Sequence, residues 1–123
     1  MNAYIQIPRD RLEALLTGAG FQPDRAGREL VYRRAHDKDG RLSIAVYTSI
    51  ATFAGSARGC GKDAIRVVAL FTWLHQASGE QRRKNLYKAR VYRVNSVEGV
   101  LERTLGKMRE AYASCNEFLK GAS

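Results

Sequence analysis

Apolar and polar positions alternate with two different periods along the chain, and the changes of period mark its elements. Leu12, Leu15, Leu16 and Ala19 recur at helical spacing behind Pro8, whose missing N–H suits a first helical turn. Gly18 and Gly20 offer a left-handed stop, Phe21 is placed to pack under the exit, and Gln22 to Gly27 reads as a loop. From Glu29 to His36 the chain reads as a strand. His36-Asp37-Lys38-Asp39-Gly40 reads as a turn, and Arg41 to Ile50 as a second strand, with Leu42, Ile44 and Val46 alternating against Ser43, Ala45 and Tyr47.

Ala51 to Lys62, rich in small residues, reads as a loop. Ala64 to Trp73 carries the β-branched cluster Ile65, Val67 and Val68 and is assigned to a strand, although the same run could extend through Leu74 as a buried helix. Gln76 to Leu86 is polar and basic and reads as a loop, and Tyr87 to Val94 as a fourth strand. Asn95-Ser96-Val97-Glu98 has capping-box form, with Asn95 as cap and Glu98 reaching back. A helix follows to about Leu119, with Val97, Leu101, Leu105, Met108, Tyr112, Cys115 and Leu119 on its apolar stripe. The expected fold class is α+β: a helix, a four-stranded, mostly antiparallel sheet and a long C-terminal helix, with the helices on one face. At 123 residues, with no internal repeat or dividing linker, residues 1–123 form one domain.

Charge changes this picture most. Lys and Arg number 21 against 12 acids, a formal net charge of +9. Self-repulsion on that scale opposes compaction and is relieved by a polyanion. The densest cationic run is Arg82, Arg83, Lys84, Lys88, Arg90 and Arg93, interleaved with Tyr87 and Tyr92. Cations neutralise phosphates and release counterions, while a tyrosine ring can stack on an unpaired base. Arg58, Lys62 and Arg66 extend the track, and Tyr47 joins Tyr92 as a stacking candidate. In Arg58-Gly59-Cys60-Gly61-Lys62 the glycines could turn backbone amides inward on an anion. The segment is not a Walker loop: Ser56 stands at the first glycine position and Asp63 follows the lysine. Arg33 and Arg34 are adjacent on a strand, so at most one joins a given patch.

Catalytic constellations are missing from the pattern. His36, Asp37 and Asp39 could hold a divalent metal for a nuclease, but their spacing is that of a hairpin turn. His75 is isolated. Cys60 sits between cations that would lower its pKa, yet no base is placed beside it by sequence. No Gly-x-Ser-x-Gly elbow occurs. Cys60 and Cys115 form neither a zinc pattern nor a disulfide framework. Met1 to Pro8 is too short and polar for a secretory leader, and no apolar run approaches the ~18 residues a spanning helix needs. A cytoplasmic protein with reduced thiols, without cofactor, is expected.

The stretches Val46-Tyr47-Thr48-Ser49-Ile50, Gly61-Lys62-Asp63-Ala64-Ile65-Arg66-Val67 and Val94-Asn95-Ser96-Val97-Glu98-Gly99-Val100-Leu101 resemble small uncharacterised basic proteins of bacteriophages and mobile elements. That resemblance implies a genome-handling or host-interaction context and no particular activity. The element order is similar to that of double-stranded-RNA-binding domains and of single-strand annealing proteins. The first helix, Gly20-Phe21 and the next strand look like HicA-type toxins, but that family's catalytic Gly-Ser-His has no counterpart, because Gly27 is followed by Arg28-Glu29. No functional residue is carried over from these families. The expected function is non-enzymatic nucleic-acid binding of low sequence specificity, to DNA or RNA of undetermined strandedness. The competing reading is a basic face docked on an acidic protein, with self-association open.

Overall fold

The computed structural model describes residues 7–26, 29–39, 41–49, 63–93 and 96–122. Its elements are α1 (Arg9–Gly18), β1 (Gln22–Ala26), β2 (Glu29–Ala35), β3 (Leu42–Ser49), β4 (Asp63–Leu74), β5 (Gln81–Tyr92) and α2 (Val97–Ala122). The fold is α+β, with a five-stranded antiparallel meander in the order β1-β2-β3-β4-β5. Four strands were expected; β1 is the fifth. Gln22–Ala26, read as a loop, pairs along β2 from Gln22↔Arg33 to Ala26↔Glu29. As an edge strand it needs little apolar alternation and tolerates Pro23.

The stop of α1 is a Schellman motif. The Phe21 amide donates to Leu16 O at 2.9 Å and the Gly20 amide to Thr17 O at 3.0 Å, with Gly20 at φ +91°. Phe21 is buried beneath the exit, as expected. The hairpin of β2 and β3 is also as expected, and β4 is a strand rather than the alternative helix. The Asp37 carboxylate accepts the Leu42 amide at 3.1 Å, and Asp39 lies 3.9 Å from Arg41. Gly40, the segment 51–62 and Asn95 lie outside the described residues.

Two expectations about α2 change. Its N-cap is Ser96, whose hydroxyl accepts the Gly99 amide at 3.1 Å. Glu98 accepts a 2.7 Å hydrogen bond from Arg11 on α1, and its expected contact with Asn95 lies outside the described residues. That guanidinium, with the Glu98 amide as a second cause, holds the carboxyl below its ordinary range. The buried stripe runs through Val100, Leu101, Thr104, Met108, Ala111 and Cys115; Leu105 is half-buried and Leu119 is 42% exposed. The Thr104 hydroxyl is satisfied within the helix, donating to Val100 O at 2.8 Å.

Cross-strand partners share a face of the sheet. Tyr32, Val46 and Val67 lie in one row and Ile44 and Ala69 in the next, and all pack with Leu12 and Leu16 of α1 and Met108 and Ala111 of α2 in one core. Both helices therefore cover the same face. Among the described residues no helix is long and apolar enough to cross a membrane.

Candidate functional site

The other face, which no helix covers among the described residues, carries Val31, Arg33, Ala45, Tyr47, Arg66, Val68 and Leu70 by the same pairing. Val31, Ala45, Val68 and Leu70 are at most 5% exposed, yet they stand outside the main core cluster. They form a thin apolar floor beneath longer polar side chains, whose methylene stems can cover such a surface while their heads stay in water.

A bulge decides which residues of β5 reach this face. Ala69 pairs with Tyr87, but Leu70 pairs with Asn85, so Leu86 is an extra residue on β5. Tyr87 and Leu86 both pack on the core, and Asn85, Arg83 and Gln81 turn to the helix-free face opposite Leu70, Thr72 and Leu74. Strict alternation from Tyr87 would have sent them the other way. The expected loop Gln76–Leu86 is thus mostly the first half of β5. Its true turn closes with the His75 amide on Glu80 O at 2.8 Å and Gly79 at φ +70°. His75 Nδ1 lies 3.0 Å from Ser78 Oγ, a local turn contact.

Lys88 and Arg90 pair with Val68 and Arg66 and so share the helix-free face. Arg66 stacks on Tyr47, its guanidinium carbon 4.9 Å from the ring centroid, and Arg33 stands 6.0 Å from the same ring. Tyr47 therefore presents guanidinium groups rather than a bare ring for stacking. Tyr92 is 37% exposed at the end of β5. Arg82 and Lys84 pair with Trp73 and Phe71, on the parity opposite to Arg83. Arg93 is 1% exposed and cannot present its charge to a phosphate, which removes it from the expected contacts. Arg58 and Lys62 lie outside the described residues. Of the adjacent pair on β2, Arg33 joins this face, bonded to Asp24 at 2.9 Å, while Arg34 lies over Tyr112 of α2 at 5.0 Å.

Two adjoining depressions cross the face and share Leu70 and Arg83. One, about 380 Å³, is lined by Tyr47, Arg66, Val68, Leu70, Arg83, Asn85 and Lys88. The other, about 620 Å³, extends toward the chain reversals through Arg33, Arg41, Ser43, Thr72, Trp73 and Arg82. Asp10, Glu13, Glu98, Glu102, Glu110 and Glu117 ride on the helices instead. The helices balance these six acids with six cations, Arg9, Arg11, Arg103, Lys107, Arg109 and Lys120, so the excess of positive charge lies off the helices. Cations gathered on one face raise the positive potential over it.

Asn85 and Arg41 were not anticipated as site residues. Arg41 belonged to a mixed-charge stretch, and nothing in the sequence around Asn85 announces the bulge that turns it. The residues weighed for metal chemistry are engaged elsewhere: Asp37 holds the Leu42 amide, and His36 Nε2 lies 2.8 Å from Asn116 Oδ1. Among the described residues no three His, Cys, Asp or Glu side chains cluster as metal ligands. Cys115 is buried, and desolvation, then the charge of Asp37, push its thiol up. No family model, curated protein or solved structure matches the chain.

Proposed function

We propose that the helix-free face of the sheet binds nucleic acid through its phosphates, without catalysis and with little sequence specificity. The observation that carries this reading is the convergence of Arg66, Arg83, Lys88 and Arg90 on one face that no described helix covers, above an apolar floor, with Arg66, Arg83 and Lys88 lining its depressions. Phosphate contacts fix position and supply salt-dependent affinity without reading bases. Sheet faces with interspersed cations and stacking groups suit extended polyanions. The context in phages or mobile elements implied by the sequence resemblance is compatible with this role.

The test compares two double variants of equal charge loss by fluorescence anisotropy with a labelled oligonucleotide. Arg66→Ala with Lys88→Ala empties part of the face. Arg103→Ala with Arg109→Ala removes two exposed cations from α2. The first pair should weaken binding severalfold more than the second. Equal losses would assign the affinity to net charge alone, and no binding by the parent at low salt would refute the reading.

A further inference from the structure

The 380 Å³ depression is more than part of a charged surface. Its size falls within the range of ~300–1,000 Å³ usual for small-ligand sites, and its lining combines apolar, cationic and carboxamide groups. Val68 and Leu70 form an apolar floor. Arg66, Arg83 and Lys88 supply three cations around it, and among the described residues neither Arg83 nor Lys88 has an ion-pair partner. Asn85 is the one carboxamide in the lining. It is there only because the Leu86 bulge turns it from the helix side to this face. Bulges that re-aim a single side chain recur beside functional sites.

We propose, on the footing that the face binds nucleic acid, that this depression accepts one unpaired nucleotide. Arg83 and Lys88 take its phosphate, and Asn85 hydrogen-bonds the edge of its base. A carboxamide offers a donor and an acceptor side by side, the pattern that pairs with the Watson–Crick edge of an unpaired base. In a duplex the Watson–Crick edges are already occupied by the complementary strand. The Arg66 guanidinium, its central carbon 4.9 Å from the Tyr47 ring centroid, is a plane on which the same base can stack. The face therefore prefers single strands, and Asn85 sets a base preference at this one position within otherwise unspecific binding.

The experiment measures affinities at one fixed salt concentration for oligo(dA), oligo(dC) and oligo(dT) of equal length and for a duplex of the same length. It uses the parent and Asn85→Ala. The parent should bind its best single strand about tenfold more tightly than the duplex and should rank the three homopolymers. In Asn85→Ala the ranking should collapse toward one value, while duplex affinity stays as in the parent. Asn85 is exposed, so the variant is expected to fold; circular dichroism checks this. Equal affinity for single and double strands, no ranking in the parent, or an unchanged ranking in Asn85→Ala would each overturn the nucleotide site while leaving phosphate binding intact. Failure to bind any of the four probes would instead overturn the nucleic-acid reading beneath it.

Discussion

The salt dependence of binding can be worked from the residues on the helix-free face. On the proposed reading Arg66, Arg83, Lys88 and Arg90, which share one face of the sheet by strand pairing, are the principal phosphate ligands, while Arg33 and Arg41 have Asp24 and Asp39 beside them at 2.9 and 3.9 Å. Each neutralised phosphate of a single strand contributes about −0.7 to the slope of log K against log salt, so four contacts give about −2.8. Raising salt from about 50 to about 200 mM should then weaken binding about fifty-fold. The double substitution Arg83→Ala, Lys88→Ala removes two contacts, halving the slope to about −1.4 and the loss over the same range to about sevenfold. Both side chains are exposed, so stability should move by about 0.5 kcal/mol or less for each. Anisotropy titrations at several salt concentrations, with a thermal melt of each variant, read both quantities. A parent slope shallower than about −1, or an unchanged slope in the double variant, would refute the assignment of phosphates to these residues.

Met108 is 1% exposed at the centre of the α2 stripe, and Met108→Ala should cost about 2–5 kcal/mol in urea unfolding; half-buried Leu105→Ala should cost clearly less, and the reverse order would misplace the stripe. Ser96→Ala removes the cap of α2 and should lower stability by about 0.5–2 kcal/mol, with Ser96→Asp restoring most of it. Tyr32 donates to Glu13 at 2.8 Å, and burial first, then that carboxylate, push its hydroxyl up to about 12 from 10.0. The folded state holds this proton more tightly than the unfolded chain, so the contribution is whole below about pH 10 and is lost as pH rises toward about 12. Chemical denaturation across that window should show a steeper fall for the parent than for Tyr32→Phe, and parallel curves would contradict the raised pKa of the buried hydroxyl.

Elements whose one face is buried and whose other face is wet were legible in the chain. The alternation of Leu42, Ile44 and Val46, the β-branched run of β4, the 26-residue amphipathic α2 and the left-handed stop at Gly20 all follow from local pattern, because each meets the core with one period. The cationic segment of β5 was also visible, as composition.

Edges and parity were decided by the tertiary structure. Gln22–Ala26 and Gln81–Asn85 show no apolar alternation, since they border the sheet and bury little, and only ladder hydrogen bonds to a neighbouring strand make them strands. The face taken by Arg83 and Asn85 depends on one extra residue, Leu86, because a side-chain period of two reverses with every inserted position. Burial removed Arg93 from the surface, although its sequence neighbours gave no sign of it. Net charge is a sum and can be read along the chain; a binding face requires those charges to point the same way, which is set by register across strands distant in sequence.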